Sequence, residues 1–80
     1  MVMAYRLGNY RFVIYSNYHE PAHIHVVGPG SEAKVQLAGK TGMTLIWQHS
    51  FGPAEMRRIM VEVEWTRDML LRKWNDIHGR

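Results

Sequence analysis

Three histidines and a glutamate fall within the stretch Asn17-Tyr18-His19-Glu20-Pro21-Ala22-His23-Ile24-His25. Imidazole titrates near neutrality, so it can take or give a proton at physiological pH. Its neutral ring nitrogen also binds borderline transition metals. On a strand, His23 and His25 project to one side, because alternate residues share a face. His19 and Glu20 precede them in a turn that Pro21 fixes. The candidate catalytic set is therefore His19, His23 and His25, with one imidazole as general base and another as general acid. The same three could converge on zinc or another divalent metal, although structural zinc usually takes four protein ligands. The plain alternative is an inert group of surface histidines, with His19 capping the turn. Spacing leaves all three readings open.

Cations surround this cluster. A hairpin closed by Gly8-Asn9 sets Arg6 directly opposite Arg11. Like charges facing each other across strands destabilise a sheet unless an anion or a carboxylate intervenes. If both hairpins share a sheet, Arg6, Arg11, Lys34, His23 and His25 lie together on its open face. Such a face suits the phosphates of RNA. Tyr15, on the same alternation as Arg11, could stack on a base. The bland counterpart is a solvated polar face.

Other chemistries find no support. Gly28-Pro29-Gly30 is a turn, not a phosphate cradle ahead of a helix. No serine or threonine nucleophile motif is present. The sequence implies no organic cofactor, and a divalent metal is the one candidate. A large small-molecule pocket is not expected in so short a chain.

The elements that must position these residues are legible. Met3–Leu7 and Tyr10–Ser16 flank Gly8-Asn9, where both residues tolerate positive φ. This register sets Tyr5 opposite Phe12 and Met3 opposite Ile14 on an apolar face, with Ala4 opposite Val13 on the other. Ala22–Gly28 and Ser31–Leu37 flank Pro29-Gly30. There Ile24 faces Val35 and Val26 faces Ala33, while His25 lies beside Lys34, His23 beside Gln36 and Val27 beside Glu32. Gly39–Gly42 is a loop, and Met43–His49 is a fifth strand. Pro53 suits the first position of a helix, and Glu55 sits in its positive first turn. The helix is predicted from Pro53 to His78, with Gly79 ending it. At 100° per residue, Met56, Ile59, Met60, Val63, Leu70, Trp74 and Ile77 form its core face, and Arg67 falls awkwardly among them. Val61, Trp65 and Met69 form a second stripe on the far side, which hints at a partner interface.

The expected architecture is α+β: an antiparallel sheet of about five strands, made of two hairpins plus one strand, packed against one long C-terminal helix. Eighty residues make one domain spanning 1–80. A domain of this size buries only roughly 60% of its unfolded surface, so a metal or a partner would be a useful support. There is no cysteine, which excludes disulfides and thiolate zinc sites. Neither a secretory run nor an apolar span of about 20 residues is visible, so a cytoplasmic location with no membrane contact is expected. Ten Lys and Arg against seven Asp and Glu give a formal charge of +3, a balance that favours anionic partners.

The runs Tyr10-Arg11-Phe12 and Tyr15-Ser16-Asn17, then His19-Glu20-Pro21-Ala22-His23-Ile24-His25-Val26, resemble a family of small bacterial proteins known as domain of unknown function 4160. The resemblance continues through Glu32-Ala33-Lys34 and Trp74-Asn75. Ala22 stands where the family usually shows a second proline. Family members are often encoded beside another small protein, as in toxin–antitoxin pairs. The resemblance thus implies a toxin-like component with a cognate small protein partner, and supplies no reaction. The combined expectation is a toxin-like protein that binds RNA and could cleave it through the histidine cluster, as a ribonuclease, with homodimerisation also open. The alternative is a non-enzymatic interaction module, an antitoxin or regulatory subunit, that binds protein or nucleic acid.

Overall fold

The computed structural model describes residues 1–17 and 21–79. Its elements follow one another as β1 (Val2–Leu7), β2 (Tyr10–Ile14), β3 (His23–Gly28), β4 (Ser31–Gln36), β5 (Thr44–His49) and α1 (Pro53–Ile77). The strands form one antiparallel sheet in the order β1-β2-β3-β4-β5. The expected α+β arrangement, five strands and a C-terminal helix, is the one observed.

Turn chemistry explains the hairpins. Gly8 and Gly30 adopt φ of 56° and 71°, values that a residue with a Cβ reaches only at a cost. The second hairpin has the predicted register: Val26↔Ala33, Ile24↔Val35, His25↔Lys34, His23↔Gln36 and Val27↔Glu32. The first agrees near its turn, with Arg6↔Arg11 and Tyr5↔Phe12, and departs beyond it. A bulge between Met3 and Tyr5 shifts the pairs to Met3↔Val13 and Val2↔Ile14. One extra residue exchanges the faces. Ala4 therefore joins the core and Met3 is exposed, the reverse of the expectation from strict alternation.

One sheet face packs on α1. Phe12, Ile14, Ile24, Val26, Ala33 and Val35 meet Met56, Ile59, Val63, Leu70 and Trp74 in a single cluster. Met60 and Ile77, also predicted for this face, pack against it half-buried. Arg67 resolves its awkward position by donating from Nε to the carbonyl oxygen of Leu37 at 2.7 Å. Two phenols strap the first hairpin to the helix: the Tyr10 hydroxyl donates to Glu55 at 2.6 Å, and the Tyr5 hydroxyl donates to Glu62. The helix starts at Pro53, with Glu55 Oε1 accepting the Gly52 amide at 2.7 Å. This is half of a capping box, since glycine has no side chain to return the bond. Among the described residues, no helix is long and apolar enough to cross a membrane.

Candidate functional site

The candidate site is built on β3 and the strands that flank it. His23 and His25 lie on one side of β3, with ring centroids 5.6 Å apart, as period-two geometry requires. They are not open to solvent: His23 is 5% exposed and His25 3%. The expectation of outward-facing imidazoles is corrected here. Val13, the cross-strand partner of His25, is fully buried too, yet lies outside the main apolar cluster. The sheet face away from the helix thus carries a second, smaller buried patch.

Aromatic rings surround that patch. Tyr15 meets His25 edge-on with centroids 4.7 Å apart, and Trp47 from β5 does so at 5.6 Å. Trp74 from α1 lies 5.0 Å from the His23 ring and carries His78 stacked on it at 3.7 Å. Tyr15, expected as an open platform for a base, is half-buried and uses part of its ring on His25.

Each imidazole is anchored through the same nitrogen. His23 Nδ1 lies 2.9 Å from the carbonyl oxygen of Pro21, and His25 Nδ1 lies 2.9 Å from Glu32 Oε2. A carbonyl oxygen and a carboxylate only accept, so Nδ1 carries the proton in both rings. The lone pair of the neutral ring then belongs to Nε2. His78 repeats the pattern, with Nδ1 3.0 Å from the Trp74 carbonyl oxygen.

Electrostatics hold the pair neutral. Burial pushes His23 below the ordinary imidazole range, and the nearby Lys34, His25 and His78 add to this against its bond to Pro21. Burial likewise lowers His25, with Lys34 adding a little, while Glu32 pulls the other way. Two neutral imidazoles can accept protons or ligate a metal through Nε2. They are poorly suited to donating a proton at pH 7, so this pair by itself does not supply the base-and-acid couple that the sequence suggests. Anchoring of Nδ1 by oxygen is also the outer-shell pattern of metal-bound histidine. Two rings give half of a tetrahedral set, and among the described residues no group of three His, Asp, Glu or Cys is placed to hold a metal. His19 and Glu20 lie outside the described residues.

The cations are arranged as expected in register but not in concentration. Arg6 and Arg11 oppose each other and are exposed. Lys34 lies beside His25 across β3 and β4. Glu32, two residues before Lys34 on the same strand, accepts from His25. Sequence reasoning placed Glu32 beside Val27 and missed its role, although the Glu32–His25 diagonal was visible once the register was set. Trp47, Trp74 and His78 were missed as neighbours of the cluster because they come from distant elements. The helical stripe is exposed at Val61 (54%) and Trp65 (82%). Met69 is half-buried and packs against the core.

Sheet, single helix and anchored imidazole pair define a small α+β protein with a buried histidine centre on β3, packed by Tyr15 and Trp47 at His25 and by Trp74 of the helix at His23. Residues 9–75 match the family described as domain of unknown function (DUF4160), and the chain belongs to that family. The match takes in His23, His25, Glu32, Trp47 and Trp74, and leaves out Arg6 and His78. No curated protein and no solved structure matches the chain.

Proposed function

We propose that this chain is the RNA-binding, toxin-like member of a two-protein module of the toxin–antitoxin type, acting in the cytosol and restrained by a small cognate partner. The observation that carries the reading is the exposed Arg6–Arg11 pair, held in register across β1 and β2. Two guanidinium groups so placed repel each other and favour an anion between them. A phosphodiester backbone supplies that anion. Lys34 extends the positive charge along the sheet toward the histidine centre. The cognate partner restrains the protein by covering this face.

The His25–Glu32 pair favours cleavage as the second reading. Glu32 fixes His25 with Nε2 as the basic atom. That atom removes the proton of a 2′-hydroxyl, the freed oxygen attacks the adjacent phosphorus, and the 5′-oxygen leaves with a proton taken from solvent. Because His25 is buried, the centre must open for RNA to reach it. The non-enzymatic alternative keeps the same face for binding alone and assigns both histidines to packing.

Induced expression in bacterial cells tests the proposal. Growth arrest by the wild-type chain, relieved by Arg6→Glu with Arg11→Glu, supports RNA binding as the toxic property. Relief by His25→Gln with RNA affinity retained assigns cleavage. A chain that neither slows growth nor binds single-stranded RNA in fluorescence anisotropy is not the protein proposed.

A further inference from the structure

We infer that Trp47 and His49 form a stacking platform for two neighbouring bases, so that the RNA this chain takes is single-stranded. The inference rests on the RNA reading above and adds what that reading leaves open: the form of the RNA and the side chains that meet its bases.

Four rings lie in a row across the histidine side of the sheet. Tyr15 meets His25 with centroids 4.7 Å apart, His25 meets Trp47 at 5.6 Å, and Trp47 meets His49 at 5.2 Å. The row changes character along its length. His25 is buried and Tyr15 half-buried, so that end is packed. Trp47 is 36% exposed, and His49 is exposed as well. Both stand on β5, the last strand of the sheet, two residues apart and therefore on one side. The register fixes that side: Trp47 and His49 oppose Lys34 and Glu32, while core residues Val35 and Ala33 oppose Leu45 and Gln48. Tyr15, the ring that alternation offers for stacking, is occupied by His25, and Trp47 with His49 takes that part.

Chemistry selects the occupant. β5 reads Thr-Leu-Ile-Trp-Gln-His, without Asp, Glu, Lys or Arg, so the platform presents ring faces and no fixed charge. A nucleobase is a flat π-system and stacks on such a ring whatever its identity. The two ring planes are tilted 39° from each other, so they suit two bases that have parted from one another. Bases inside a duplex are paired and stacked, and their faces are closed to the platform. Cations complete the match. Lys34 lies cross-strand from Trp47 on one side and from His25 on the other. Arg11 is on β2, three strands from β5, about 14 Å at the usual spacing. One continuous strand thus lays its bases on β5 and its phosphates across Lys34 and the arginine pair.

Fluorescence anisotropy with one labelled RNA of about 12 nucleotides, free and annealed to its complement, reads the outcome. The single strand should bind at least about tenfold tighter than the duplex. Trp47→Leu should weaken the single strand by about tenfold and His49→Ala by about fivefold, whereas Trp47→Phe, which keeps a ring, should lose less than about threefold. None of the three should change the slope of affinity against salt, because stacking releases no counterions. A second measurement leaves Trp47 in place. Of the three tryptophans, Trp65→Phe leaves Trp47 and Trp74, and Trp74 is 1% exposed. Single-stranded RNA should therefore quench the emission of Trp65→Phe through Trp47. A wild type that binds neither RNA removes the RNA reading and this inference with it. A wild type that binds the single strand overturns this inference alone if Trp47→Leu and His49→Ala bind as tightly, if the emission of Trp65→Phe ignores RNA, or if the duplex binds equally well. Self-association lost in Trp47→Leu with RNA affinity retained gives the rings to a second copy and overturns it too.

Discussion

His25 Nδ1 sits 2.9 Å from Glu32 Oε2, a bond from β3 to β4 on the sheet face away from the helix. Glu32 lies two residue pairs along the hairpin, opposite Val27, so its carboxylate reaches diagonally to the imidazole. The diagonal settles the tautomer of His25 and keeps its basic nitrogen on the far side of the ring.

Stability should fall as the solution is acidified through the histidine range. Burial holds both His23 and His25 below the ordinary imidazole value. Above about pH 6.5 both states of the chain carry neutral rings and the contribution is constant. As pH drops below that point, the unfolded chain takes up protons that the folded chain refuses. The unfolded state is then favoured, by up to about 1.4 kcal/mol per pH unit for each ring, until the folded value is passed. Urea midpoints at about pH 7.5 and 5.5 check this, and a midpoint that does not move refutes it. Glu32→Gln should lower the His25 value further, read from its ring proton shifts, because Glu32 is the group that favours the charged form.

A cap can be completed at the start of α1. Gly52 precedes Pro53 in an extended conformation, φ −75° and ψ 162°, and already donates its amide to Glu55. A Cβ added there meets only Glu55 Oε1, at 3.6 Å. Gly52→Ser should therefore fit, return the missing hydrogen bond to the first turn and restrict the unfolded chain. The expected gain is about 0.5–1 kcal/mol. A raised urea midpoint with unchanged slope is the sign of success, and a lowered one would show that the added hydroxyl competes with the Glu55 bond.

Local signals carried most of the architecture. The Gly8-Asn9 and Pro29-Gly30 turns, the alternation of Ile24 and Val26, and Pro53 at the helix start each act over a few residues, so they can be read along the chain. The bulge at Met3–Tyr5 was not legible, because no residue there demands it. It follows from Ala4, not Met3, fitting against the core. The histidine centre was half legible. Period two placed His23 and His25 together, but their rings are packed by Tyr15 just past β2, Trp47 of β5 and Trp74 of α1, which are far apart in the chain. Trp74 in particular read as an ordinary core residue at helical spacing. It is that, and it also touches the His23 ring.

The phosphate reading of the Arg6–Arg11 pair makes a quantitative prediction about salt. A cation that contacts a phosphate releases condensed counterions from the nucleic acid when it binds. For single strands, each such contact contributes about 0.7 to the slope of log affinity against log salt. Arg11→Gln should therefore lower that slope by about 0.7 and weaken binding to all RNA sequences alike, because a phosphate contact carries no base information. Lys40→Gln, an exposed change in the loop between β4 and β5, should leave the slope within error. Anisotropy titrations of a labelled RNA across about 50–300 mM salt measure both. Equal slopes for the wild type and Arg11→Gln would mean that the arginine pair does not meet phosphate. The repulsion across β1 and β2 would then need another anion, the carboxylate of a protein partner, and the same variant would lose that partner instead.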